Sequence, residues 1–88
     1  MIEKTLSLKN RLGLHARAAA KLVHTASGFE SKVTLTKDGT EVDGKSILGL
    51  LLLAAPVGSE ILVRVDGSDE QRAFAAVEEL IERKFDES

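Results

Sequence analysis

The run Glu60-Ile61-Leu62-Val63-Arg64-Val65-Asp66 sets Ile61, Val63 and Val65 against Glu60, Leu62 and Arg64. Successive side chains of a strand point to opposite faces, so this run has one face to bury and one that tolerates water. The pattern recurs earlier in the chain. Ile2, Lys4, Leu6 and Leu8 alternate with Glu3, Thr5 and Ser7, and Ser31 to Lys37 alternates through Val33 and Leu35. Asp38-Gly39 is a hairpin signal, which returns Thr40 to Val42 antiparallel. Strands of this kind need one shared apolar cover on one side only.

The segments between the strands supply that cover. Ala16 to Ser27 repeats Ala19, Leu22, Val23 and Ala26 at helical spacing, and Gly28 stands where a left-handed C-terminal cap is expected. Ser46 precedes the apolar run Ile47 to Leu53, which leans to a short helix capped by that serine and closed off by Pro56 and Gly58. Ser68-Asp69-Glu70-Gln71 has the form of a capping box. It opens a last helix with Phe74, Val77, Leu80 and Ile81 inside and Glu78, Glu79, Glu82 and Arg83 outside. The order β-α-β-β-α-β-α predicts an α+β fold, an antiparallel sheet covered by helices on one face, and residues 1–88 read as a single domain.

Composition narrows the chemistry. With no cysteine there is no disulfide, thiolate nucleophile or cysteine-based metal site. The longest apolar stretch, Leu50 to Val57, contains Pro56 and is too short to cross a bilayer. Met1-Ile2-Glu3-Lys4-Thr5 lacks the layout of a secretory signal, so a soluble cytoplasmic protein is expected. The net charge of −2 is unevenly spread: residues 1–45 hold eight basic and five acidic side chains, residues 46–88 four and nine. Between Glu3 and Glu30 the charged side chains are Lys4, Lys9, Arg11, Arg17 and Lys21, which predicts a positive field around His15. A nucleic-acid-binding sheet is disfavoured, because no strand-like run carries an aromatic residue to stack on a base.

His15 lies where the loop from Lys9 to Leu14 gives way to the first helical run. A lone histidine there is commonly a surface residue. A helix N-terminus, however, leaves N–H groups unpaired, carries partial positive charge and attracts anions. The same field favours an uncharged imidazole with a free lone pair. Arg17, within the first turn, adds a forked donor. A nucleophilic ring nitrogen beside an anion cradle suits phosphoryl transfer.

Asn10 with Gly13-Leu14-His15-Ala16-Arg17 resembles the phosphohistidine signature of the HPr family, phosphocarriers of the bacterial sugar phosphotransferase system. The likeness runs from Ile2 to about Phe85 and includes a second signature at Lys45-Ser46-Ile47. Ala18 stands where that family usually has proline; alanine is the best helix former, so the helix start should survive. The resemblance implies an open-faced β-sandwich, four strands under three helices. It implies that His15 accepts a phosphoryl group on Nδ1 from enzyme I and passes it to enzyme IIA. Arg17 and the N–H groups of Ala16 and Arg17 would steady the phosphate, with no metal or cofactor. It further implies that Ser46 is the target of an ATP-dependent HPr kinase/phosphorylase, which would make the protein a ligand for a transcriptional regulator.

Ile47 to Leu53 is apolar nearly all round, and Leu48, Leu51 and Leu52 exceed what a short helix can bury on an open sandwich. Ala20, His24, Ile47, Leu48 and Leu51 are therefore the expected partner surface, on a monomer that neither inserts in a membrane nor binds nucleic acid. Two other readings use the same residues. One is a paralogue in the nitrogen-regulatory phosphotransferase chain; the other is a purely regulatory protein acting through Ser46, in whose relatives the histidine is replaced.

Overall fold

The computed structural model of the chain describes residues 1–87. Asp38 and Gly39 take φ of 49° and 82°, the backbone pair that lets a two-residue turn follow the strand twist. So β2 (Lys32–Lys37) returns as β3 (Thr40–Asp43). With β1 (Ile2–Ser7) and β4 (Glu60–Asp66) they form one antiparallel sheet in the order β1-β4-β2-β3. Val65 of β4 lies opposite Ile2 on one side and Val33 on the other. Val33, Leu35, Ile61, Val63 and Val65 are buried beneath α1 (Ala16–Ser27), α2 (Ile47–Leu52) and α3 (Glu70–Glu82). On the uncovered face Arg64 reaches Glu3 at 2.9 Å and Glu41 at 3.7 Å. The sheet is covered on one face, as the alternation predicts, in the open-faced sandwich the resemblance implies, and the exposed Lys4 of β1 pairs with Glu78 of α3 at 3.0 Å. Among the described residues no helix is long and apolar enough to cross a membrane.

Three local readings need correction. Gly28 is right-handed (φ −75°), not left-handed. Gly28 and Phe29 donate their N–H groups to Thr25 and Ala26 carbonyls, three residues back, at 3.2 Å each, so α1 runs out by tightening. The capping box is not formed either. Asp69 occupies the cap position but makes no side-chain cap bond. Its carboxylate instead accepts from the N–H groups of Glu30 (2.9 Å) and Ser31 (3.0 Å) and from the Ser31 hydroxyl. The Ser31 hydroxyl leads these donors in holding the Asp69 carboxyl down to about 2. They offer more than the single helix N–H a cap would accept.

The third correction concerns the positive segment. Acids of the second half come back to it, with Lys4 against Glu78, Lys9 against Glu82 and Lys21 within 3.9 Å of Asp86. Three of the five cations of that segment are therefore paired, while Arg11 and Arg17 form no ion pair among the described residues. Glu78 and Glu82 come from α3, and Asp86 from a tight turn, Lys84–Asp86, that the sequence reading did not anticipate. Its three residues all have positive φ, 59°, 54° and 57°, and it buries Phe85.

Candidate functional site

The backbone that delivers His15 is clamped. Gly13 has φ +66°, and a Cβ there would lie 2.3 Å from the Ala55 carbonyl oxygen and 2.9 Å from Pro56 Cα. Only glycine meets both conditions. Leu14 donates its N–H to the same Ala55 oxygen at 2.9 Å, and the buried Asn10 donates Nδ2 to the Gly13 carbonyl at 2.7 Å. His15 then takes an extended backbone (φ −80°, ψ 177°) as the N-cap of α1, its carbonyl accepting from the Ala19 N–H at 2.8 Å. Ala18 is buried in the first turn, and α1 begins at Ala16 without a proline.

The imidazole is held more loosely. Nδ1 accepts from the Arg17 N–H at 3.3 Å, and the side chain is 30% exposed. An accepting Nδ1 carries no proton, so the proton of the neutral ring is assigned to Nε2. Nε2 faces Glu87 Oε2 at 3.5 Å. Glu87, 16% exposed, also accepts from Asn10 Nδ2 at 2.9 Å and from the Leu12 N–H at 3.2 Å. The Asn10 bond first, then the Leu12 bond and His15, hold its carboxyl below the usual range. Phe85, buried, and its carbonyl, which accepts from Lys21 Nζ at 2.8 Å, bring this segment across the site. His15, Arg17, Ala18, Lys21 and Glu87 thus share one cleft of about 400 Å³.

Ala16 and Arg17 are exposed beside the ring. Ala20 and His24 lie in an adjoining groove that shares Arg17, Lys21 and Asp86 with the cleft. Ser46 caps α2, its hydroxyl accepting from the Gly49 N–H at 3.0 Å. Leu48 and Leu52 are each 76% exposed and Ile47 and Leu51 are also exposed, whereas Leu50 and Leu53 enter the core. These α2 residues line neither cleft. Among the described residues no three His, Asp or Glu side chains gather as a metal-ligand set. Glu87 was missed by sequence reasoning; the only hint was the acidic excess of the second half, which names no residue.

An open-faced sandwich with one half-exposed histidine at a helix N-cap defines a small carrier-type domain. Comparison with known proteins narrows the class. Residues 2–83 match the family described as PTS HPr component phosphorylation site. The phosphocarrier protein HPr of Xylella fastidiosa (strain Temecula1) is 54% identical over 87 residues, covering 99% of this chain and 98% of that protein. The crystal structure of HPr-C-His from Thermoanaerobacter tengcongensis superposes with a TM-score of 0.96 at 43% identity, covering 100% of this chain and 99% of that one. A crystal structure of an HPr dimer from the same organism gives a TM-score of 0.80 at 44% identity, covering 99% and 100%. The chain belongs to the HPr family, the phosphocarrier proteins of the phosphotransferase system.

Proposed function

We propose that this chain is a cytoplasmic relay that accepts a phosphoryl group on His15 Nδ1 from phospho-enzyme I and surrenders it to enzyme IIA of the sugar branch. The observation that carries the reading is the Nδ1 lone pair, turned toward the first-turn N–H of Arg17 on a ring left 30% exposed. As P–Nδ1 forms, the P–N bond to the donor's imidazole breaks, and that ring leaves neutral, keeping the proton of its other nitrogen. The acceptor keeps its Nε2 proton, so no proton has to move between partners. The new phosphate meets the N–H groups of Ala16 and Arg17 and the Arg17 guanidinium, contacts of about 1 kcal/mol each in a wet site. Holding that weak leaves the group transferable.

Ser46 is the second site of the reading, a target for an ATP-dependent kinase. Phosphate there would sit at a helix start, where negative charge is tolerated, beside the exposed leucines, so its effect would fall on partners rather than on the fold.

The test is incubation with labelled phosphoenolpyruvate and enzyme I. Acid-labile, alkali-stable label is expected on the parent and not on His15→Ala, and transfer is expected to a sugar-specific enzyme IIA. A folded parent that takes up no label would overturn the proposal. Transfer only to a nitrogen-regulatory enzyme IIA would move the chain to that branch.

A further inference from the structure

We infer that Glu87 is a positioning residue for His15: its carboxylate holds the Nε2 edge of the ring, directs phosphoryl transfer to Nδ1, and keeps a proton on Nε2 once Nδ1 carries phosphate. The inference deepens the phosphocarrier reading and rests on it for the reaction. The geometry is that of a carboxylate fixed independently of the ring it serves. Asn10 Nδ2 and the Leu12 N–H hold Glu87 at 2.9 and 3.2 Å, and both belong to the loop that Gly13 clamps. The remaining reach of the carboxylate is spent on Nε2, at 3.5 Å. Among the described residues no other acid comes within ion-pair distance of this ring. The charged groups around the pair are Arg17, Lys21 and Asp86 within the cleft, and Lys9, Arg11 and Lys84 behind Glu87.

The chemistry follows from which nitrogen is free. With Nε2–H turned to a carboxylate and Nδ1 turned to an N–H donor, only Nδ1 presents a lone pair to phosphorus. After transfer, a phosphoramidate on Nδ1 leaves most readily when Nε2 is protonated. The P–N electron pair then returns to Nδ1 and the ring departs neutral. A negative charge opposite Nε2 favours that protonated form. Glu87 therefore acts on the Nε2 side of the ring, through its proton, and never touches the phosphoryl group.

The test phosphorylates the protein with phosphoramidate, a small donor that needs no enzyme I, and follows the phosphohistidine by 31P and 15N NMR across pH. Glu87→Gln removes the charge and keeps one acceptor oxygen, enough for Asn10 or Leu12 but not both, because the two bond different carboxylate oxygens; an unchanged amide spectrum checks the fold. In the variant the Nε2 titration of the phosphorylated ring is expected about one pH unit lower, a tenfold change in acidity. A larger share of phosphate should also appear on Nε2. Coincident titrations with the same Nδ1 share in both proteins would overturn the inference. Charging by enzyme I together with coincident titrations removes Glu87 and leaves the relay. Separated titrations in a protein that enzyme I cannot charge do the reverse.

Discussion

Replacing Gly13 with alanine tests whether the backbone ahead of His15 is as constrained as its geometry implies. Two costs arise. At φ +66° an L-residue is strained by about 1–2 kcal/mol. The new Cβ would also stand 2.3 Å from the Ala55 oxygen, where ordinary contact begins at 3.4 Å. Both opposing groups, the Ala55 carbonyl and Pro56, are backbone, so relief requires the loop to move. That movement breaks the Leu14–Ala55 hydrogen bond of 2.9 Å, about 1 kcal/mol more. The sum is about 2–3 kcal/mol. Gly39→Ala is the control: its φ is +82° but nothing lies within 4 Å of the added Cβ, so only the first cost applies. With a urea slope of about 1 kcal/mol/M for a small domain, the unfolding midpoint should fall by about 2–3 M for Gly13→Ala and by about 1 M less for Gly39→Ala. Phosphoryl acceptance should fall in the first variant even at full folding and stay unchanged in the second. Equal midpoints for the two would refute the clash argument.

Three further outcomes are expected. The Asp69 carboxyl sits at about 2 in the folded protein against an ordinary 3.8, so its stabilisation is complete above 3.8 and disappears as pH falls toward 2. Asp69→Asn should therefore be less stable than the parent at neutral pH, with a gap that closes across that window in acid-unfolding curves; a gap independent of pH would exclude the carboxylate as its source. Arg17→Ala should slow phosphoryl acceptance about tenfold, the loss of one charge-assisted contact, with an unchanged melting temperature, and equal rates would take Arg17 out of the mechanism. Ser46→Ala should lose about 1 kcal/mol through the cap to Gly49, while Ser46→Asp, itself a good N-cap, stays within a few tenths of the parent by thermal melting. A neutral Ser46→Ala would deny the cap its role.

What the sequence revealed and what it hid divide by distance along the chain. Period-2 runs such as Glu60–Asp66 report a strand because the side chains that share a face are two residues apart. The Asp38-Gly39 turn and the Ser46 cap are legible for the same reason, since donor, acceptor and backbone requirement all lie within four residues. That Leu48, Leu51 and Leu52 could not all be buried followed from how little a short helix can cover, but which of them stay outside did not. Asp69 misled because serine, aspartate and glutamate beside a helix start read as a cap, whereas the donors that won it lie 38 and 39 positions away. Glu87 was invisible on the same ground: its partners Asn10 and Leu12 are 77 and 75 positions back, and nothing near Glu87 distinguishes it from the other acids of that half. His15 stood out through the resemblance carried by Gly13-Leu14-His15-Ala16-Arg17, because on spacing alone a lone histidine at a helix start reads as a surface residue.

The site separates a rigid part from a loose one, and the proposed relay needs both. The backbone before His15 is held by bonds of 2.7 and 2.9 Å and by a glycine that admits no Cβ, so Nδ1 is presented in one direction. The ring's own contacts are longer, 3.3 Å to the Arg17 N–H and 3.5 Å to Glu87, and it stays partly open to water. Short bonds to the ring would lower the energy of one protonation and phosphorylation state relative to the other. A carrier must pass between these states with each partner, so such stabilisation would appear as a barrier in one direction. Placing the strength in the loop gives alignment without that trap. The exposed leucines of α2 lie outside the His15 cleft, so in the proposed relay a partner that docked there would leave the contacts that hold the phosphate unchanged.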